Sequence, residues 1–309
     1  MTFVGNSRDE VMTIRIANTP ESWGIHDSDD SAPLFTPVQV MDQIAAGYDG
    51  LELGRWGFLP TDPAQLSAEL DKRGLRLVAG GVICDFLDPQ AVEQAVDTVQ
   101  RMGGLVAALE GVCIVLTDMM GRVPELVRNA GRRTGSSLNN EQWERFAAGV
   151  SRVAAALHTL TGLPAAFRPF SATHVETADE VRRLLARTEA ELVGLCLDTG
   201  HYYYGGGDPL EAVREFGARL RLLHLRDCDA GIREIAHKEK MDFHAAAAVG
   251  VFCAVGEGAV DFGALLNAAD PLPHVTWGVV KGSAGLIDDL DAPRAEAGRT
   301  RDYLRKLGY

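Results

Sequence analysis

Eight short apolar runs, each followed by a stretch with the pattern of an amphipathic helix, constrain this chain more than any other feature. The runs cover residues 13–17, 50–53, 75–82, 112–117, 164–169, 192–198, 220–227 and 275–281. The helical stretches cover 38–46, 62–73, 91–102, 141–161, 179–188, 209–216, 262–269 and 292–307. Strand starts recur roughly every 25 to 40 residues, the spacing of a strand plus its crossover helix. Strands alternating with helices imply a parallel sheet. Eight such units imply closure into an α/β barrel of the (β/α)8 type.

The length agrees. A barrel of this kind takes about 250 residues, and the chain has 309, of which 46% are hydrophobic. No Pro/Ser-rich linker divides it. The expectation is a flexible segment over residues 1–12 and one barrel domain over 13–309. The interval 228–260 is long for a connection and follows strand seven, on the side of the barrel where active-site loops gather. It reads as a lid or substrate loop, with a plain surface insertion as the alternative; residues 242–249 suggest a short helix there.

The net charge of -13 argues against nucleic acid and anionic membranes as general partners. Five cysteines, Cys84, Cys113, Cys196, Cys228 and Cys253, form no C-x-x-C pair. They read as reduced thiols of a cytoplasmic protein. The start of the chain lacks the apolar core of a signal peptide, and no run is long enough to span a bilayer. A homodimer is the prior for a soluble enzyme of this kind.

In such a barrel, polar residues at the C-terminal ends of strands face the site. Strand one is followed by Trp23, and strand two delivers Glu52 and then Arg55. Strand four ends at Asp118; strand five gives Arg168 and Phe170, with His174 and Glu176 just beyond. Strand six gives Asp198 and His201, strand seven His224, Arg226 and Asp227, and strand eight Lys281. Each has a plainer reading. Asp198 could cap a turn, His224 could be a satisfied core histidine, and Glu52, Arg168 and Lys281 could be solvated charges. His237 and His244, in the long interval, stay open.

Several segments together resemble a known family. Ala17-Asn18-Thr19-Pro20-Glu21-Ser22-Trp23-Gly24, Asp49-Gly50-Leu51-Glu52-Leu53-Gly54 and Leu197-Asp198-Thr199-Gly200-His201 are three of them. His224-Leu225-Arg226-Asp227, Gly256-Glu257-Gly258 and Val260-Asp261-Phe262 follow in order. In this order the chain resembles the xylose isomerase-like sugar isomerases and epimerases, particularly the inosose (2-keto-inositol) dehydratase branch. The resemblance implies a TIM barrel acting on a polyol, ketose or related carbonyl compound. It also implies a divalent metal such as manganese or cobalt, held by residues of strands five to eight.

Two implied ligand positions are kept, Asp198 and His224. Two are not: strand five reads Arg168-Pro169-Phe170, and strand eight ends Val279-Val280-Lys281. Arginine cannot ligate, and two cations repel a divalent ion. The expectation is therefore no metal and no other cofactor, with Arg168 and Lys281, clustered with Asp198, supplying the positive charge that an enediolate needs. The base would be Glu52, His201 or His224. Trp23, Arg55, Asp118, Phe170, His174, Glu176, Arg226 and Asp227 would bind substrate. The cations and Arg55 would suit an anionic small molecule. The alternatives are a Schiff-base lyase using Lys281, a non-catalytic binding barrel, and a rearranged metal site recruiting His174, Glu176 or a histidine of the long interval.

Overall fold

The computed structural model describes residues 14–26, 32–283 and 287–309. The expected flexible segment, residues 1–12, lies outside the described residues, as does Thr13 at the head of the first expected strand.

The barrel strands are β1 (Arg15–Asn18), β2 (Gly50–Leu51), β3 in two pieces (Arg76–Leu77 and Ala79–Cys84) and β4 (Cys113–Asp118). They continue as β5 (Ala165–Arg168), β6 (Val193–Asp198), β7 (Leu220–Leu225) and β8 (Trp277–Val280). All pair in parallel, each with its neighbour in sequence, and β8 pairs with β1. The first piece of β3 pairs with β2 and the second with β4. The pieces meet at Val78, whose N–H donates to Leu51 O at 2.9 Å and whose carbonyl accepts from Val112 N at 2.8 Å. Hydrogen bonding therefore runs round the whole ring, and the expected (β/α)8 barrel is what forms.

Helix starts follow from local chemistry. Pro37, Pro63, Pro89 and Pro209 each open a helix, where a missing N–H costs nothing. Thr36 with Gln39, Asn139 with Gln142 and Thr177 with Glu180 form reciprocal capping boxes. The expected helices at Pro209–Phe216 and Phe262–Ala269 appear with unchanged bounds. The C-terminal helix Asp291–Lys306 folds back on the first βα unit: Tyr48 Oη donates to Ala297 O at 2.8 Å and Arg301 Nε to Gly47 O at 2.6 Å.

Two corrections concern the strands. Strand seven stops at Leu225 rather than Asp227, because Asp227–Cys228 turns away to pair antiparallel with Phe252–Cys253. Strand two keeps only Gly50–Leu51 as ladder. The long interval is not an open loop. It holds helices Ala230–Lys238 and Phe243–Ala248, the second where a short helix was expected.

The core has two parts. The larger apolar cluster lies between strands and helices. A second fills the barrel itself, built from Ala17, Val78, Ala79, Cys113, Val115, Ala166, Cys196, Leu222, Trp277 and Val279. Small residues on most strands leave room for the Trp277 ring. Four of the five cysteines are buried and all five are free thiols.

Candidate active site

The inner apolar layer determines what stands above it. Side chains two positions apart on a strand share a face. Val115, Ala166, Cys196, Leu222 and Val279 point inward. The next inward positions toward the C-terminal ends are therefore Thr117, Arg168, Asp198, His224 and Lys281. The register sets them side by side: Thr117 opposite Arg168, Asp198 opposite His224, and Val279, two before Lys281, opposite His224. All five are buried, as is Glu52 beyond β2.

This layer is one polar network. Lys281 Nζ donates to Glu52 Oε2 at 2.9 Å and pairs with Glu21 Oε2 at 2.7 Å. His224 Nε2 is 2.6 Å from Glu52 Oε1, and its Nδ1 is 3.3 Å from Arg168 Nη1. Arginine can only donate, so Nδ1 accepts and Nε2 carries the proton to Glu52. Burial, with Lys281 and Arg168 nearby, lowers the pKa of His224 against the pull of Glu52 and keeps the ring neutral. Arg168 Nε also donates to Thr117 Oγ1 at 3.1 Å, and its guanidinium lies 4.8 Å over the Phe170 ring.

The carboxylates are charged despite burial. Burial alone would raise Glu21, but Lys281 and Arg168 outweigh it and hold it at about 2. Glu52 is likewise lowered against burial by His224 and Lys281. Asp198 is lowered against burial by the neighbouring cations Arg226 and Arg168, and lies 3.5 Å from Arg226 Nε. Lys281 is raised: Glu21 and Glu52 overcome the opposing effect of burial. A lysine held protonated between two carboxylates is not a Schiff-base nucleophile at neutral pH, so the geometry expected for that chemistry is not present. Nor does Lys281 join Asp198 in one cluster; the partner of Asp198 is Arg226.

Above the network opens a cavity of about 1030 Å³. Glu21, Arg55, Asp118, Arg168, Phe170, His201 and Arg226 line it, joined by Phe243 and Phe252 from the long interval. Glu52, His224 and Lys281 line only a small recess at its floor, together with Glu21 and Arg168. His201 follows β6 on a short helix capped by Asp198 Oδ1, which accepts from His201 N at 3.1 Å. The plain capping role of Asp198 thus holds alongside its ion pair. The His201 ring packs on Phe170 at 3.6 Å and on Phe252 at 4.5 Å, and its Nδ1 is 3.0 Å from Ser171 Oγ. Burial and the nearby Arg226 and Arg168 take its pKa well below the usual value. Cys84 also faces the cavity, but burial pushes its thiol up to about 12.

Four residues expected to touch substrate lie outside the cavity wall. Trp23 is buried in the main apolar cluster. Glu176 accepts from Gly131 N at 2.6 Å and Ala172 N at 2.8 Å, so it braces the segment after β5. Asp227 accepts from Gly256, Gly258 and Val260 N–H at 2.9 to 3.0 Å and organises the turn that closes the long interval. His174 stands behind Asp118 and stacks on Phe146. Sequence reading passed over Glu21, though its motif was in view, because β1 ends three residues earlier and only the fold carries Glu21 to Lys281. Phe243 fell in the short helix expected over 242–249, but nothing in the local pattern aimed it or Phe252 at the cavity.

The donor set does not fit a divalent ion. Arg168 and Lys281 stand at two of the four implied ligand positions, and both nitrogens of His224 are engaged. Among the described residues no group of three His, Cys, Asp or Glu side chains is placed to hold a metal. His174 and Glu176 are among those residues.

Comparison with known proteins agrees with the architecture. The model of the family described as xylose isomerase-like TIM barrel matches residues 44–281. The inosose dehydratase of Geobacillus kaustophilus (strain HTA426) is 29% identical over 299 residues, covering 96% of each chain. Among solved structures, the probable 3-DHS dehydratase AsbF of Bacillus anthracis, involved in petrobactin synthesis, superposes with a TM-score of 0.68 at 11% identity. It covers 94% of this chain and 99% of that one. The IOLI protein, with a bound zinc atom, superposes at 0.67 with 14% identity, covering 95% and 99%. At such identities the structural likeness speaks for the fold alone.

Proposed function

This chain belongs to the xylose isomerase-like TIM barrel family, and from that premise we propose that it dehydrates or epimerises an inosose-type cyclic keto-polyol with fixed cations in place of a metal. It is an enzyme of the isomerase, epimerase or dehydratase type, the class to which its full-length relative named inosose dehydratase points. The observation that carries the proposal is the pair of cations Arg168 and Lys281 at the ends of β5 and β8, stacked from cavity to floor.

Proton removal next to a ketone builds negative charge on the carbonyl oxygen, and a preorganised cation lowers that barrier without reorganisation cost. Arg168 lines the cavity and is the group to meet this oxygen. Lys281, in the floor recess, anchors Glu21 and Glu52 and keeps the network charged. Of the three bases expected from sequence, only His201 lines the main cavity. Its ring is neutral and so able to take the proton. Loss of a β-hydroxyl from the enediolate completes dehydration; return of the proton to the other face gives epimerisation.

The charge balance supports an uncharged substrate over the anionic one considered first. Three cations (Arg168, Arg226, Lys281) are offset by three carboxylates (Glu21, Glu52, Asp198) within the network. The test is turnover of inosose by the wild type and by Arg168→Gln, followed by product absorbance. We expect kcat to fall about 100- to 1000-fold with KM changed far less, as when an oxyanion-stabilising donor is removed. Turnover by Arg168→Gln within threefold of wild type would overturn the assignment.

A further inference from the structure

We propose that Asp118 is the general acid of this site, donating the proton with which the β-hydroxyl leaves as water; the inference rests on the dehydratase reading above.

Asp118 ends β4 and lines the cavity, while Arg226 and His201 line it from β7 and from the helix after β6. β5 separates the two sides of the rim. A β-elimination needs that arrangement: one group removes the α-proton and another, elsewhere on the rim, serves the departing oxygen.

The other carboxylates of the site, Glu21, Glu52 and Asp198, are each ion-paired with lysine or arginine and stay ionised. Asp118 has no lysine or arginine within ion-pairing distance among the described residues. Its Oδ2 accepts from His174 N at 2.9 Å and lies 3.4 Å from His174 Nδ1. Its backbone pairs with Cys84 on β3. The other groups that act on it are Asp85, which opposes its charge, and Arg133, which weakly favours it; the nearby Met119 N–H, which donates to Cys84 O at 3.1 Å, also favours the charged form. Burial dominates and carries its pKa to about 7. Burial and Arg133 bring His174 down to about 4, so the imidazole is neutral and offers the carboxyl no cationic partner.

The step balances. The base removes the α-hydrogen as a proton, and the C–H pair becomes the enediolate. That pair then forms the new C=C bond while the β C–O bond breaks, its electrons leaving with oxygen. The Asp118 proton joins that oxygen, water departs, the base releases the α-proton to solvent and the carboxylate recovers a proton from solvent. No oxidant or reductant is needed.

Two readouts test this on wild type and Asp118→Asn, which preserves shape and can still accept from His174 N. In D2O, proton NMR follows exchange of the α-hydrogen of inosose, and product absorbance follows dehydration. Asp118→Asn should keep exchange within about threefold of wild type and lose dehydration by at least about 100-fold. The dehydration rate of wild type should fall above about pH 7, and that limb should be gone in the variant. Dehydration by Asp118→Asn within threefold of wild type, or loss of exchange and dehydration together, would overturn the role. If wild type neither exchanges nor dehydrates inosose, the substrate reading fails, and the infrared carboxyl band that is lost in Asp118→Asn then decides. A band that disappears near pH 7 keeps Asp118 as the proton donor of the cavity; no such band at pH 5 removes it.

Discussion

Lys281 shows what a single residue contributes here. Its ammonium is buried between Glu21 and Glu52, and breaking such a pair leaves uncompensated charge in the interior. Lys281→Met is expected to cost about 3–5 kcal/mol of stability, read from denaturant unfolding. The pH dependence has a definite sign. Glu21 is held at about 2 in the folded state against its ordinary 4.5. The stabilisation is therefore full above the unfolded value and is lost as pH falls through about 2. In Lys281→Met that acid limb should begin at higher pH, because the cation that holds Glu21 down is gone; an unchanged limb would contradict the pairing. Much at this scale was legible in the sequence. Glu52, Arg168, Asp198, His224 and Lys281 all meet at one end of the barrel, since period-two alternation above an apolar layer leaves them no other place. What could not be read was pairing. Whether Lys281 met Asp198 or Glu21 depends on how the segment after β1 crosses the rim, which no local pattern encodes.

At the scale of elements, the long interval after β7 is a folded unit rather than a flexible strap. Asp227 holds its closing turn through three backbone N–H groups, each at hydrogen-bond distance from a carboxylate oxygen. Hydrogen bonds to a charged group contribute about 1.5–3 kcal/mol each at most, and not additively. Asp227→Ala should therefore lose about 2–4 kcal/mol. It should expose residues 229–260 to limited proteolysis before the barrel yields, because the insertion unlocks first. Phe243 and Phe252 reach the cavity from this unit, so KM for inosose should rise in the same variant. Proteolysis that begins in the barrel helices instead would contradict this. The sequence marked the interval by its length and foresaw one of its helices. The helix Ala230–Lys238, though longer than the one foreseen, buries only Ala236, so its sequence carries no clear core-facing stripe, and the two-residue ribbon at Asp227–Cys228 is too short to show any pattern.

For the whole molecule, the alternation of strands and helices was enough to specify the barrel. Eight parallel strands with small residues at most inward positions can fill the interior only by closing round a few large side chains such as Trp277. The chemistry follows from how that barrel ends. Where the family resemblance implies ligands on strands five and eight, this chain presents Arg168 and Lys281, and the proposed chemistry rests on those cations acting in place of a bound ion. The most direct test measures metal content by inductively coupled plasma mass spectrometry on protein purified without chelator, together with inosose turnover in EDTA. Less than about a tenth of an equivalent of any divalent metal is expected, since a ligand set with two cations binds such ions poorly, together with undiminished turnover in EDTA. Near-stoichiometric manganese, cobalt or zinc, with turnover abolished by EDTA and restored by the metal, would contradict it.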